Sequence, residues 1–237
     1  MLQNIKQLYG RKLSAPDGEI GEVKDFYFDD KTWAVRYLVV DTGPWLAGRD
    51  VLLSPQAFGA NPFGPAEAAD PVLRVTLAKK QIEDSPSLDT HLPVSRQYEN
   101  DYYRHYGWPT YWSDANMGGI GSVTAVPPPP TSVGHHGHNQ RDDIHLRSTK
   151  AVTGYHLHAS DGEIGTLNSF LLDRTGWAIR EIAVDCGHWF AAKPVFLRVE
   201  DILRISYPDS AVFVNLTRED ITQTEKNRVA HVAPHRA

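Results

Sequence analysis

The sequence predicts a mainly β protein: two small antiparallel β-barrels in tandem, each with a short C-terminal helix, joined by a long insert rich in aromatic residues and proline. The first observation is an internal duplication, since residues 6–54 and 150–198 align without gaps and share 21 of 49 residues. The second is that short β-branched or aromatic runs alternate with glycine turns. The third is size: about 75 residues per copy are too few for two packed sheets but suit a small barrel that closes its own edges.

The duplication also predicts the domain boundaries. Residues 1–94, called copy one, and residues 145–237, called copy two, are the predicted barrels. Residues 95–144 form the insert between them.

The predicted strands lie between turn residues such as the Asp17-Gly18 pair. In copy one they are residues 7–13, 20–28, 33–40, 51–53 and 72–77. The matching strands named in copy two are residues 177–184, 195–197 and 211–216. A short helix is expected after each last strand, at residues 78–84 in copy one and after the capping-box pattern of Thr217–Asp220 in copy two.

Composition limits the classes of function. The chain has 237 residues, a net charge of -5 and one cysteine, Cys186. This charge provides no broad basic field, which argues against general nucleic-acid binding. A lone cysteine cannot form an internal disulfide, and no apolar run is long enough for a signal peptide or a membrane span. We therefore expect a cytoplasmic location.

One ordered set of motifs resembles a known family. Residues 10–21 read Gly-x-x-Leu-x-Ala-x-Asp-Gly-Glu-Ile-Gly, and Phe-x-x-Asp, a Trp-led strand and Val-Asp-x-Gly-x-Trp follow in both copies. This order resembles the PRC-barrel family over about residues 1–90 and 146–228. The resemblance implies a small β-barrel that acts as a docking module and carries neither catalytic residues nor a cofactor. Relatives occur in the cytoplasmic part of the photosynthetic reaction-centre H subunit and in a ribosome-maturation factor.

The repeated Asp-Gly-Glu-Ile-Gly motif supplies paired carboxylates, the groups that acid–base catalysis or a hard cation needs. They are Asp17, Glu19, Asp161 and Glu163. However, Asp-Gly starts a hairpin and the neighbouring Glu usually faces water, so the pattern favours a turn.

Arg36 and Arg180 occupy matching positions in the strongest predicted strand. Either side chain can cover apolar surface with its stem while its guanidinium meets a turn carboxylate such as Asp29 or Asp173. Recognition of a partner is the alternative.

The loop after that strand pairs an aromatic residue with a cation in both copies, Trp45 with Arg49 and Trp189 with Lys193. This combination suits a protein interface or a cation–π contact. Packing across the barrel mouth or between the barrels is the structural alternative.

The first half of the insert is dense in aromatic residues, which are costly to leave in water. We expect the groove between the barrels, the second subunit of a homodimer, or another protein to cover them. They are Tyr98, Tyr102, Tyr103, Tyr106, Trp108, Tyr111 and Trp112.

The second half of the insert contains a proline run at residues 127–130, which predicts an extended spacer. His135, His136 and His138 follow it and are candidate ligands for zinc, copper or nickel. No cysteine pair or helical His-Glu spacing accompanies them, so we expect no metal and no cofactor.

These features predict a non-enzymatic protein-interaction or assembly module built from two PRC-barrel repeats, with a protein partner that the sequence does not identify. The reaction-centre relative suggests, as a first alternative, peripheral docking on a photosynthetic or other membrane electron-transfer complex. The other relative suggests an RNA-processing or ribosome-assembly adaptor. No combination of nucleophile, base and oxyanion donors assembles in the sequence, which argues against an enzyme.

Overall fold

The structure is a computed structural model. It describes residues 1–59, 62–63, 72–86, 94, 96–110, 145–187 and 194–224. The chain divides into two compact units. The larger unit contains residues 1–83 and 145–237, and the smaller contains residues 84–144. The strands of both copies therefore lie in the larger unit.

As predicted, the fold is mainly β, with two sheets and few helices. The described strands are, in chain order, β1 (Leu2–Asn4), β2 (Lys12–Ala15), β3 (Gly18–Asp29), β4 (Val35–Asp41), β5 (Asp50–Leu53), β6 (Leu73–Arg74), β7 (Leu146–Ser148), β8 (His156–Ala159), β9 (Gly162–Asp173), β10 (Ala178–Asp185), β11 (Val195–Arg198), β12 (Ile202–Ser206) and β13 (Ala211–Val214). The described helices are α1 (Lys79–Glu83), α2 (Arg96–Tyr106), α3 (Thr149–Val152) and α4 at residues 218–224.

The two sheets share one strand order. It is β5-β4-β3-β2-β6 in copy one and β11-β10-β9-β8-β13 in copy two, where β12 extends the edge beyond β13. Strands β2 and β6, like β8 and β13, run parallel, and the other neighbours are antiparallel. Buried side chains of the long central strands, such as Phe26, Leu38 and Ile182, form the core.

Neither sheet is the closed barrel that the sequence predicted, because no ladder joins its two edges within the described residues. The open sheets are explained by the turns that connect one edge strand of a sheet to the other. In copy two only the 3-10 turn Val199–Asp201 separates edge strand β11 from edge strand β12, so the sheet curls to bring its edges near each other. The turn takes the place of the extended backbone that a closing ladder would use. In copy one the turn Pro55–Ala57 has the same position.

Several predicted strand boundaries were wrong. The first long strand of copy one begins at Lys12 because Ile5–Gln7 form a 3-10 helix and Gly10 turns the chain with a φ of 73°. Strand β4 begins at Val35, two residues after the predicted start, because Trp33 has a φ of 59° and is not extended. The last strand of copy one is reduced to β6.

The predicted capping box at the start of α4 is confirmed. Thr217 Oγ1 accepts a hydrogen bond from the backbone N–H of Asp220 at 3.1 Å, and the Asp220 carboxylate accepts one from the N–H of Thr217 at 2.9 Å. These reciprocal bonds satisfy backbone donors that a helix start leaves without partners.

The final glycine of the repeated motif marks a close approach between strands. Gly21 has a φ of 142° and Gly165 a φ of 153°. A Cβ on Gly21 would lie 2.0 Å from the carbonyl oxygen of Asp41, and one on Gly165 would lie 2.1 Å from that of Asp185. Only glycine allows the two strands to meet in this way.

The aspartate of the motif binds the helix that ends each copy. The Asp17 carboxylate accepts a hydrogen bond from the N–H of Lys79 at 2.9 Å, and Asp161 accepts one from the N–H of Arg218 at 3.0 Å. These bonds satisfy first-turn donors of α1 and α4. The motif therefore starts a hairpin and fixes the following helix at the same time.

The two copies exchange their first strands. Strand β1 of copy one pairs with β9 of copy two, and β7 of copy two pairs with β3 of copy one. The registers are equivalent, since Leu2 lies opposite Asp173 and Leu146 lies opposite Asp29. Each sheet is therefore completed by a strand from the other copy.

A second junction joins the turns that precede β4 and β10. The N–H of Val35 donates to the carbonyl of Trp177, and the N–H of Ile179 donates to the carbonyl of Trp33, both at 2.8 Å. The tryptophans have left-handed backbone, with φ of 50° and 59°. A bulky residue adopts this region only where its surroundings impose it.

Aromatic packing reinforces this junction. The Trp177 ring lies 5.0 Å from the Phe58 ring and 4.9 Å from the Phe63 ring, centroid to centroid. Trp33 stacks on Phe28 at 5.4 Å. Copy two thus inserts an aromatic side chain between two aromatic side chains of copy one.

A buried polar network lies beside the exchanged strand β7. The Asp25 carboxylate accepts hydrogen bonds from the Ser148 hydroxyl, from Thr149 Oγ1 at 2.9 Å and from the N–H of Lys150 at 3.2 Å. Tyr9 shares a hydrogen bond with Thr149. Burial raises the pKa of Tyr9 to about 12, an effect that the Thr149 bond opposes and the Asp25 charge reinforces.

We predict that Gly21→Ala destabilises the chain by at least about 3 kcal/mol, because the new methyl group meets a carbonyl oxygen that cannot move without separating β3 from β4. Gly10→Ala is the control: Gly10 also has a positive φ, but a Cβ there meets nothing within 4 Å, so only backbone strain of about 1 kcal/mol is expected. Chemical denaturation measures both. Equal losses would refute the close-approach argument.

We also predict that the two copies unfold in one calorimetric transition, because each sheet lacks a strand without the other copy. Trp177→Ala should lower the midpoint of that single transition, with a loss of about 2–4 kcal/mol, and Trp177→Phe should restore part of it. Two separate transitions in the unmodified chain would contradict the exchange.

Candidate functional site

A pocket of about 350 Å³ lies in copy one, between the repeated motif and the loop after β4. Its size falls within the range of small-ligand and side-chain binding sites. The lining residues are Glu19, Ile20, Gly21, Glu22, Asp41, Thr42, Gly43, Pro44 and Trp45. The close approach at Gly21 thus brings the two walls together.

The loop that forms one wall is closed by its own hydrogen bonds. The Asp41 carboxylate accepts a hydrogen bond from the N–H of Gly43 at 2.8 Å, and the Thr42 hydroxyl donates to the carbonyl of Arg49 at 2.7 Å. Between them Gly43–Leu46 form a 3-10 turn with proline in its first part. The pocket is therefore preformed.

Helix α1 holds this loop in place. The Lys79 ammonium lies 4.4 Å from the centroid of the Trp45 ring, and an Arg49 guanidinium N–H donates to the carbonyl of Glu83 at 3.3 Å. Trp45 is half-buried and lines the pocket, whereas Arg49 contacts the helix end. Trp45 thus makes a cation–π contact of the kind that the sequence predicted for this loop, with Lys79 as the cation.

Acidic side chains line the pocket. Glu19 forms an exposed ion pair with Lys12 at 3.2 Å. The exposed side chain of Glu22 makes no hydrogen bond or ion pair with the described residues, and Asp41 uses one carboxylate oxygen for its turn. None of the described lining residues is Lys, Arg or His, although Lys12 pairs with Glu19 and Lys79 contacts Trp45 from outside the lining. The described lining itself therefore carries negative charge.

Sequence reasoning did not identify Lys79 as part of this site. A signal was available, because the residue 139 positions later, Arg218, is also basic and follows the last strand of copy two. Both residues donate their N–H to the motif aspartate of their own copy. The equivalent positions of Lys79 and Arg218 indicate their shared role at the start of the helix. The contact between Lys79 and Trp45 depends on tertiary structure and has no signal in the sequence.

In copy two, the Glu163 carboxylate forms a hydrogen bond with His156 Nδ1 at 2.7 Å. This hydrogen bond lowers the pKa of Glu163 below its usual value. The same cross-strand pair in copy one is Lys12 with Glu19. A histidine thus replaces a lysine in an equivalent surface pair.

Arg36 and Arg180, which occupy equivalent positions, differ in their ion pairing. Arg36 forms the predicted ion pair with Asp29, with 3.3 Å between guanidinium and carboxylate, and both side chains are mostly buried. Burial alone would raise the pKa of Asp29, but the N–H groups of Thr32 and Lys31 and the Arg36 charge outweigh it, so the pKa lies below its usual value. For Arg180 the predicted contact with Asp173 was wrong, because that carboxylate accepts from Thr175 and Arg180 is exposed.

Within the smaller unit, α2 carries an aromatic cluster. Tyr102 lies at its centre, with ring centroids 6.2 Å from Tyr98, 5.6 Å from Tyr103, 4.9 Å from Tyr106 and 6.3 Å from Trp108. Tyr102 and Tyr103 are buried. These rings contact one another rather than standing singly in solvent.

Several candidate residues lie outside the described part of the chain. They are Trp189, Lys193, Tyr111, Trp112, His135, His136 and His138. Among the residues that are described, no group of three or more His, Cys, Asp or Glu could hold a metal ion. None of the described helices is long and apolar enough to cross a membrane.

We predict that Arg36→Met costs about 1–3 kcal/mol, since it leaves a mostly buried carboxylate without its cation. Arg180→Met, at the equivalent position of copy two, should change stability by less than about 0.5 kcal/mol. The measurement is the free energy of unfolding at pH 7. A melting temperature unchanged in both variants would remove the structural role of Arg36.

The pH dependence supplies a further check. Folding lowers the pKa of Asp29. The ionised Asp29 carboxylate therefore stabilises the fold above its pKa in the unfolded chain, near 4, and this stabilisation is lost as the pH falls through its pKa in the folded chain. The difference in the free energy of unfolding between wild type and Arg36→Met should therefore become smaller below about pH 4.

The comparisons with known proteins give one family match. The family model described as PRC-barrel domain matches residues 7–61. This segment includes β2 to β5 and every described residue that lines the pocket. No curated protein matches the chain. Residues 7–61 are therefore similar to a PRC-barrel domain.

Proposed function

We propose that this chain is a non-enzymatic protein-interaction module and that it contacts its partner at the pocket beside Trp45. The observation that carries the proposal is that all the described lining of the pocket lies inside the segment that matches the PRC-barrel domain. That domain suggests a protein-interaction module.

The shape of the site supports binding. Hydrogen bonds close the loop of residues 42–49, and α1 anchors it through Trp45 and Arg49, so little loop entropy is lost when a partner binds. A half-buried tryptophan in a concave site is a typical centre of a protein interface.

We further propose that copy two is a second PRC-barrel repeat that stabilises the first. Its support is the shared motif, the shared strand order and the exchanged first strands. In this arrangement copy two completes the sheet that carries the pocket.

The experiment is crosslinking mass spectrometry with the intact chain in extract of the source cells. We expect crosslinks from residues of the pocket to a partner protein, and we expect Trp45→Ala to remove them because the variant removes the aromatic wall. Leu203→Ala is the control, since Leu203 is 65% exposed and lies on β12, away from the pocket lining.

Circular dichroism and the melting temperature of each variant establish that its fold is intact. Crosslinks that map to other surfaces, or that persist in folded Trp45→Ala, would refute the pocket as the contact site. Crosslinks only between copies of the chain would identify a homodimer as the bound state.

A further inference from the structure

Resting on the proposed function, we infer that the pocket beside Trp45 receives a cationic side chain, arginine or lysine, from a basic segment of the protein partner. The inference names the chemistry of the partner, which the domain family does not specify. It stands on the charge of the lining, on a cation already held by the same aromatic ring, and on the classes of ligand that the site disfavours.

The first step is charge. Glu19, Glu22 and Asp41 line the pocket, and none of the described lining residues is basic, although Lys12 and Lys79 contact the lining from outside it. The Lys12 ion pair with Glu19 is exposed, with 56% and 60% of the two side chains accessible, and such a pair contributes little. A partner cation can therefore replace Lys12 at low cost. Glu22 already lacks a partner among the described residues.

The second step is the aromatic wall. The Lys79 ammonium lies 4.4 Å from the Trp45 ring centroid, within the distance at which the ring attracts a cation. The chain thus uses this indole to hold a lysine of its own. A guanidinium or ammonium that enters the pocket meets the same indole together with carboxylates.

The third step excludes other ligands. Nucleic acids and other polyanions are repelled by a lining of this sign. A bare metal ion does not fit either, since no group of three potential ligands among the described residues could hold one. An apolar side chain in the pocket would leave the negative charge of the carboxylates without a cation.

The fourth step is space. Gly21 and Gly43 supply lining without side chains, and a Cβ on Gly43 would meet nothing within 4 Å. The opening beside Trp45 is therefore clear. A volume of about 350 Å³ accommodates one long side chain.

The test is an NMR titration of the intact, ¹⁵N-labelled chain with four peptides, Ac-Gly-Gly-X-Gly-Gly-NH₂, in which X is Arg, Lys, Glu or Leu. We expect the Arg and Lys peptides to shift the backbone amides of Gly21 and Gly43 and the indole N–H of Trp45. The Glu and Leu peptides should leave these signals unchanged. Raising the salt from 50 to 500 mM should weaken binding, because exposed charges are screened.

Variants locate the charge effect. The double variant Glu19→Gln, Glu22→Gln should weaken binding of the Arg peptide by roughly two- to fivefold per carboxylate. Glu200→Gln is the matched control, because Glu200 is exposed and pairs with Arg198, which does not belong to the described pocket lining. These surface changes should leave the melting temperature unchanged.

Equal shifts from all four peptides, or no shift at the pocket from the Arg and Lys peptides, would overturn the inference. The two proposals fail separately. Cationic peptides that bind while partner crosslinks avoid the pocket would refute the proposed contact site alone. Crosslinks at the pocket without cationic selectivity would refute only the charge inference.

Discussion

The fold depends on a reciprocal contact between the two copies. Backbone hydrogen bonds cross between the turns at Trp33 and Trp177, and both residues hold a backbone region that bulky side chains normally avoid. Such a conformation costs free energy, so the surrounding packing must stabilise it. The same contact places β1 and β7 on the opposite sheets. A domain of this size has a modest core, and sharing strands enlarges it without lengthening either copy.

The copies share this backbone arrangement but differ in its polar groups. Asp25 of copy one binds β7 and the start of α3 through a charged network, whereas its equivalent Ser169 donates to the side chain of Asn4. Lys24 pairs with the buried Asp50, and this hydrogen bond raises the pKa of Lys24. The equivalent residues of copy two are Asn168 and Pro194, which cannot form the pair. The duplicated chain has therefore kept its junctions while each copy acquired its own polar contacts.

The sequence predicted those features that depend on residues close to one another in the chain. The Asp-Gly turn and the capping box at Thr217 depend on neighbouring residues, and the duplication identified Gly21 with Gly165 as a repeated requirement. The exchange of first strands was not predictable, because strands of three residues have too little periodicity to show a pattern. Closure of the barrels was predicted wrongly, since a three-residue turn between edge strands carries no signal of whether a ladder crosses it. The acidic pocket was missed because its walls come from two segments about twenty residues apart.

The pocket follows from the same constraints as the fold. Because Gly21 lacks a side chain, β3 approaches the end of β4, and Asp41 is held at the point where the loop begins. Asp17, in the same motif, fixes α1, whose Lys79 then reaches the Trp45 ring. One five-residue motif thus positions both the acidic wall and the aromatic wall. In the proposed function, these charges are held in place before a partner binds, so selection by charge does not require the ordering of a loop. In copy one the motif that the fold requires is therefore also the motif that shapes the proposed binding site.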